Sequence, residues 1–313
     1  MDDAGKSPIA LFVYNRPDHA RLTLENLRHN VGASETSLHV FSDGPRSAED
    51  EAPVAAVRRL VHAVDGFRSV QVHEAPTNQG LANSVIAGVS RVLEAHTRVI
   101  VMEDDLVSSP HMLNYMNAAL DRYEAEPAVF TVAAYNHPPS LMPMPADYPY
   151  DCFFLPRNSS WGWATWKDRW AKAVWESEDL RSLLRVPARR RAFANAGADL
   201  PGMLDDQLAG RVDSWAVRWS YAHFRHNALC LCPTRSYVDN IGNDGSGVHC
   251  RPSDIYANNL GTAPVSPTFP DEIFVDPEIL QAFQAVYRRS LLKRLKRKIR
   301  TLGQGNRAAR SST

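Results

Sequence analysis

The sequence predicts an α/β fold built on a mostly parallel sheet flanked by helices, and three observations predict it. Short apolar runs alternate with helix-length amphipathic stretches through the first hundred residues, in the order β-α-β-α. The first runs break at turn-forming residues, Asn15-Arg16-Pro17-Asp18 and then Ser42-Asp43-Gly44-Pro45. A later run, Val99-Ile100-Val101-Met102, is apolar at every position and stops abruptly at Glu103-Asp104-Asp105. Continuous apolar strands are those buried on both faces by crossover helices.

Each element has its own signal. Pro8 to Tyr14 reads as the first strand, with Asp18 as N-cap of a helix running to about Asn30. Ser37 to Phe41 is the second strand, followed by a helix from about Ala48 to Ala63. Phe67 to His73 is the third strand, and Thr77-Asn78-Gln79-Gly80 turns the chain into a helix from Leu81 to Glu94. The strand ending in the three acids comes next. Ser109-Pro110 opens a helix through about Tyr123, and Val129 to Ala133 and Leu229 to Cys232 are further strands. His137 to Pro149, rich in Pro and Met, reads as an irregular loop, and a last helix starts near Pro277. The second half therefore reads as a mixed, less regular continuation of the same sheet.

Composition bounds the class of protein. The chain has 313 residues with 44% hydrophobic content, enough for one large core. Lys plus Arg and Asp plus Glu both number 35, but ten of the basic residues fall between Arg288 and Arg310, where no acid occurs. A neutral total thus hides an acidic body and a basic tail. In that tail Leu291, Leu292, Leu295 and Ile299 recur at helical spacing among Lys and Arg, a pattern suited to an anionic membrane surface. The competing readings are a solvated helix end and nucleic-acid binding; the tail has no interleaved aromatic platform for the latter. No apolar run reaches 18 residues, and the leader Met1 to Ser7 is short and polar, so the expected setting is cytoplasmic, with peripheral attachment to the inner face of the plasma membrane. Cys152, Cys230, Cys232 and Cys250 are then expected as free thiols; Cys230-x-Cys232 with His249-Cys250 lacks the usual zinc-finger spacing.

Chemistry concentrates in four places. Three adjacent carboxylates at the carboxyl end of a buried strand repel one another unless something cationic sits there, and ligands of open α/β sheets bind at that edge. Oxygen ligands suit Mn²⁺ or Mg²⁺, which also grip phosphate. The bland alternative is a solvated acidic turn leading into the next helix. Trp161, Trp163, Trp166 and Trp170 fall within ten residues. Indoles at this density either stack on the C–H faces of sugars or pack as core, and both uses are expected here. Asn240 to His249 holds three glycines, which let backbone N–H groups approach phosphate. His223 and His226, at i and i+3, read as packed or exposed helix residues. Neither G-x-G-x-x-G after the first strand nor G-x-x-x-x-G-K-[ST] occurs, which excludes the common dinucleotide and P-loop sites.

Arg16 after the first strand, Ser42-Asp43-Gly44, Asn78-x-Gly80-Leu81 and Glu103-Asp104-Asp105 form an ordered set. Together they resemble glycosyltransferases of the GT-A (Rossmann-like) fold, in particular the N-acetylglucosaminyltransferase I-like group. The Ser-Trp-Gly-Trp-Ala-Thr-Trp block and Asn240 to His249 are similar to bacterial polysaccharide-biosynthesis glycosyltransferases, so the resemblance spans roughly residues 8 to 250. It implies a donor site in which Asp43 accepts the uracil N–H, Arg16 lies near the diphosphate or base, and Glu103 and Asp104 bond ribose and sugar hydroxyls. Asn83, Gly245 and Ser246 would add donor contacts, Asp105 and His249 would hold the metal, and Trp161 and Trp163 would contact the acceptor sugar. An inverting transfer needs a carboxylate base. The family carries an acidic pair followed by Trp; here Asp213-Ser214-Trp215 departs from it, leaving Asp213 and then Asp206 as candidates.

The sequence therefore predicts a metal-dependent glycosyltransferase that uses a nucleotide-sugar donor, UDP-linked by resemblance, and a glycan or lipid-linked acceptor, with no nucleic-acid partner. Residues 1–105 would form the nucleotide-sugar half, 106–275 the acceptor and catalytic half, and 276–313 a basic helix and tail. A non-catalytic carbohydrate-binding protein would need the tryptophans without the acids. A sugar-nucleotide pyrophosphorylase would need a glycine- and arginine-rich loop after the first strand, where Asn15-Arg16-Pro17 stands.

Overall fold

The computed structural model describes residues 6–176, 178–245 and 254–288. The first half is the alternating unit that the sequence predicts: β1 (Ile9–Val13), α1 (Pro17–Arg28), β2 (Ser37–Ser42), α2 (Ala48–His62), β3 (Ser69–Glu74), α3 (Leu81–Ala95) and β4 (Arg98–Glu103). The chain continues through β5 (Leu106–Ser108), α4 (Met112–Arg122), β6 (Val129–Ala133), β7 (Cys152–Leu155), β8 (Trp163–Trp166) and α5 (Lys167–Trp170). Three short helices follow, α6 (Glu178–Arg185), α7 (Pro187–Ala194) and α8 (Leu200–Leu208). Then come α9 (Trp215–His226), β9 (Leu229–Pro233), β10 (Val238–Asn240) and a helix over 277–288, here α10.

Eight strands form one sheet in the order β3-β2-β1-β4-β8-β6-β9-β7, and β5 and β10 form a separate antiparallel ribbon. The pairs β2·β3, β1·β2, β1·β4 and β6·β9 are parallel, whereas β8 runs antiparallel to both β4 and β6. Because β8 is inverted between them, β4 and β6 point the same way. The carboxyl ends of β1, β2, β4 and β6 and the entry to β8 consequently share one edge.

Burial explains this arrangement. All five residues of β1 are buried, as are Val99 to Met102 of β4. Helices α1, α2 and α4 cover one face with Leu24, Leu27, Val57, Val61, Met116 and Leu120, among others. The other face is covered by α3, α5 and α9 through Val85, Val89, Trp170, Trp215 and Trp219. Each such side chain removed from water stabilises the fold by about 1.5–3 kcal/mol before entropy is counted. A Cβ on Gly88 of α3 would lie 2.6 Å from the Phe12 ring, so only glycine lets α3 lie this close to β1.

The structure corrects two local expectations. The N-cap position of α1 belongs to Arg16, with Pro17 first in the helix and Asp18 in the first turn without a capping bond. The fixed φ of proline and its missing N–H suit the first helical position, which sets the start one residue earlier than an Asp18 cap requires. The tryptophan block forms β8 and α5, and Trp163, Trp166 and Trp170 are at most 5% exposed. Trp163 stacks on Trp215 with centroids 4.9 Å apart, inside the core below α9. Its assignment to a sugar-binding surface is therefore withdrawn.

Helix α10 begins where the sequence predicts, but it is not an appendage. Its Ile279, Phe283 and Val286 complete a third core with Met142, Phe153, Cys230 and Cys232. The basic segment beyond Arg288 lies outside the described residues. No helix among the described residues is long and apolar enough to cross a membrane.

His223 is fully buried, the packed reading of the sequence, and sits in a closed ring of hydrogen bonds. Trp219 Nε1–H donates to Thr131 Oγ1 (2.9 Å), Thr131 Oγ1–H to His223 Nε2 (3.0 Å), and His223 Nδ1–H to the Trp219 carbonyl (2.9 Å). Burial lowers its pKa from 6.5 to about 4. The unfolded chain binds the proton first, so stability is lost as pH falls below 6.5 and levels off near 4. His223 alone should account for about 2 kcal/mol of lost stability between pH 7 and pH 5. Urea unfolding at both pH values should show a smaller loss for His223→Gln than for the wild type; equal pH dependence would refute this assignment.

Candidate functional site

The acids at the end of β4 are the centre of the shared edge. Parallel pairing sets Glu103 level with Phe12 of β1, so the residues just beyond β1 face the residues just beyond β4. Arg16 reaches across with one guanidinium nitrogen, Nη2, to Asp104 Oδ1 (2.5 Å) and Asp105 Oδ2 (2.9 Å). Asp104 Oδ2 accepts the Tyr14 backbone N–H (3.2 Å), and its carbonyl accepts the Thr23 hydroxyl (2.8 Å). Both Asp104 oxygens thus have protein partners, and one of them orients Arg16. Burial, then Asp105 and Asp104, push the Glu103 carboxyl up to about 8, against the pull of Arg16. Burial likewise raises Asp104, and Arg16 opposes that rise.

Asp105 differs from its neighbours. Its carboxylate is buried, and Oδ1 has no hydrogen-bond partner. The ribbon β5·β10 closes this side: Asn240 pairs with Leu106, and the Ile241 N–H donates to the Asp105 carbonyl (2.9 Å). Gly242 then passes so close that a Cβ would lie 2.3 Å from Asp105 Oδ2 and 2.9 Å from Arg16 Nη1. The glycine-rich loop therefore begins against the acids. Gly245, with φ of +95°, ends its first turn, and Ser246 and His249 lie outside the described residues.

A second group sits beyond β2. Asp43 is buried, and its carboxylate accepts four N–H groups: Gly44 and Gln79 on Oδ1, and Asn78 Nδ2 and Gly80 on Oδ2, at 2.8–3.1 Å. A carboxylate has about four lone-pair positions, so this one is filled by the turn leading into α3. The expectation that Asp43 accepts a uracil N–H is corrected accordingly: Asp43 holds the turn. Asn83, exposed on α3, donates to the Gln79 carbonyl and braces the same turn. Asp213 joins from the far side, its Oδ2 accepting the Ala82 N–H (3.1 Å) and lying 2.9 Å from where a Gly80 Cβ would stand. Its side chain remains 49% exposed. Ser214 takes the cap of α9 by accepting the Val217 N–H, which accounts for serine where the resemblance led us to expect a second acid. Asp206 belongs to neither group; on α8 it pairs with Arg211 at 2.6 Å.

Trp161, unlike Trp163, is partly exposed at the shared edge, and Tyr135 lies against it with centroids 4.5 Å apart. Sequence reasoning missed Tyr14, Tyr135, Asp239 and Gly242 as residues of this edge. Only Gly242 carried a signal, its place in the glycine-rich run.

Among the described residues, no group of three His, Cys, Asp or Glu side chains is arranged to hold a metal ion. A hard divalent cation can nonetheless bind through a single carboxylate, with water and phosphate oxygens completing its shell. The orphaned Asp105 Oδ1 fits that mode, whereas the oxygens committed to Arg16 and Tyr14 do not.

No protein-family model and no curated protein sequence matches the chain. Among solved structures, the chain is similar to the mannosyltransferase PcManGT from Pyrobaculum calidifontis, described in complex with GDP-Man and Mn²⁺. The match has 16% identity and a TM-score of 0.36, and covers 52% of this chain and 45% of that one. The chain thus spans less than half the length of that structure, and the site's reading rests on its own residues.

The filled carboxylate of Asp43 generates a prediction. In Asp43→Asn one acceptor oxygen becomes an NH₂ facing N–H donors, so buried donors lose their partner. The expected cost is about 2–3 kcal/mol in urea unfolding, with faster amide exchange at residues 77–82. Exchange there at the wild-type rate would mean that Asp43 does not hold the turn.

Proposed function

We propose that this chain is a metal-dependent glycosyltransferase of GT-A type, moving a sugar from a nucleoside diphosphate donor to a glycan or lipid-linked glycan acceptor with inversion. One observation carries the reading: at the carboxyl edge of the sheet, a cation-bridged acid pair presents one buried carboxylate oxygen, Asp105 Oδ1, with no partner. An unpaired buried carboxylate oxygen is costly, and a divalent cation carrying a diphosphate relieves that cost. Mn²⁺ or Mg²⁺, when bound, neutralises charge on the departing diphosphate. Asp105 would hold it, and Arg16 fixes Asp104 and Asp105 while adding positive charge beside the leaving group.

Asp213 is the proposed base. It stands at the same edge, beside the turn that Asp43 holds, with its carboxylate half exposed. It would take the proton from the acceptor hydroxyl as that oxygen attacks the anomeric carbon, while the bond to the nucleoside diphosphate breaks. UDP is the nucleotide that the family resemblance implies. The chemistry belongs to polysaccharide assembly on the cytoplasmic side of a membrane, with the basic segment from Arg288 onward as the contact to anionic lipid.

Calorimetry tests the donor site. UDP should bind only with Mn²⁺ present, more tightly than GDP, and Asp105→Ala should weaken it at least tenfold, about 1.4 kcal/mol. Binding that ignores both metal and substitution would end the proposal. Asp213→Asn should keep UDP binding within twofold and reduce turnover of the bound UDP-sugar about 100-fold or more. For the tail, deleting residues 289–313 should abolish co-sedimentation with phosphatidylserine-containing vesicles; unchanged sedimentation would refute the lipid contact.

A further inference from the structure

Beside the acids, the edge carries an aromatic corner that the transfer chemistry above does not use. Strand β8 pairs Trp163 with Val101 of β4 and with Ala133 of β6. Trp161 and Gly162 lead into that strand from the edge that holds the acids, and the Ala134 N–H donates to the Gly162 carbonyl (2.8 Å). Gly162, φ +63°, turns the chain into β8 and packs close to β4 and β10, since a Cβ there would lie 3.2–3.3 Å from Ala134, Val238 and Met102.

Trp161 and Tyr256 stand almost perpendicular, at 84° with centroids 6.0 Å apart, and both are partly exposed. Tyr135 backs Trp161 at 74°, and its hydroxyl donates to the Tyr256 carbonyl (3.4 Å), which ties the two walls together. Asp239, half-buried on β10, adds a carboxylate whose Oδ1 accepts the Asn258 N–H (3.0 Å). Asn258 in turn donates through its side chain to the Asn136 and Tyr256 carbonyls, so the corner is fixed from below. His137, beneath the corner, is held neutral by burial, with its pKa lowered to about 4. Arg157 is committed to Asp199 (2.7 Å) and to the Tyr287 ring.

We propose that Trp161, Tyr256 and Asp239 form the acceptor subsite, and that it takes an uncharged pyranose. The sugar's C–H face lies on the indole, its hydroxyls donate to Asp239, and the reacting hydroxyl points towards the acid cluster. An anionic sugar such as a uronate is disfavoured, because the Asp239 carboxylate faces it. The acceptor role rests on the transferase reading; the sugar preference of the corner does not.

The test is saturation-transfer NMR on the full chain with methyl β-D-glucopyranoside and methyl β-D-glucuronide as probes, with UDP and Mn²⁺ binding measured on the same samples. The wild type should saturate the neutral glycoside at least threefold more strongly than the uronide. Trp161→Ala and Tyr256→Ala should lose the neutral signal while binding UDP as the wild type does. Asp239→Asn, nearly isosteric, should fold normally and erase the discrimination by admitting the uronide. Equal saturation of both probes by the wild type, or a neutral signal unchanged in Trp161→Ala, would overturn the subsite. Absence of UDP binding in every sample would overturn the transferase reading instead, and a Trp161-dependent glycoside signal in those samples would still support the sugar corner.

Discussion

The ion pair of Arg16 with Asp104 and Asp105 is the interaction on which the rest of the structure depends. Three successive acids at the end of a buried strand cannot all remain ionised without a counter-charge, and the directions of the Glu103 and Asp104 shifts show that burial prevails over one arginine. The pair has to be assembled from two strands that meet only after a crossover of more than eighty residues. Pro17 starts α1 directly after Arg16, Tyr14 supplies a backbone N–H to Asp104, and Thr23 on the first turns of α1 holds the Asp104 carbonyl. Each of these contacts requires β1 to lie parallel to β4 in the observed register. A shift by one residue would turn the alternate faces of β1 over and carry Arg16 away from both acids.

The remaining imbalance is what makes the edge a site rather than a structural salt bridge. An ion pair that closed on itself would leave no polar atom without a partner. Here Arg16 uses one nitrogen for two carboxylates, and Asp105 Oδ1 is left buried and unpaired. Buried unpaired oxygens are rare because they cost free energy, and they are retained where a ligand completes them. Asp43 is the contrast on the same edge: equally buried, but with four N–H donors around it. Two acids at strand ends thus differ, and the difference lies in the N–H donors that the surrounding residues present to them.

That contrast also marks the limit of the sequence. The first four strands, their helices and the acid run were legible because apolar periodicity and turn residues are local signals. The roles of Asp43 and Asp104 were not, because many of their partners are backbone N–H groups, from Gly44, Gln79 and Gly80 and from Tyr14, which carry no side-chain signature. Trp161 and Trp163 show the same limit from another side. They are two residues apart and chemically identical, yet Trp163 is fully buried against Trp215 while Trp161 reaches the edge. The strand β8 that separates their fates spans four residues in a stretch of Gly, Ser and Trp, too short to announce itself. Ser214 was read as a missing acid, whereas it caps α9; an alignment of motifs cannot distinguish a lost carboxylate from a gained cap.

Strand β8 finally explains why both halves of the chain serve one edge. A parallel sheet continued directly from β4 to β6 would leave the acids bordered by another strand end and its outgoing loop. Inserting β8 in the opposite direction brings an incoming segment to that edge, so the residues before the strand, not after it, line the site. Those residues are Trp161 and Gly162, with the glycine allowing the close approach to Met102, Ala134 and Val238. The ribbon β5·β10 then anchors the glycine-rich loop on the other side of Asp105. An aromatic wall and a backbone-rich loop thereby flank the same carboxylate, each held by hydrogen-bonded strands. The chain reversal at β8 is the topological step that joins an acid-lined edge to an aromatic one within a single sheet.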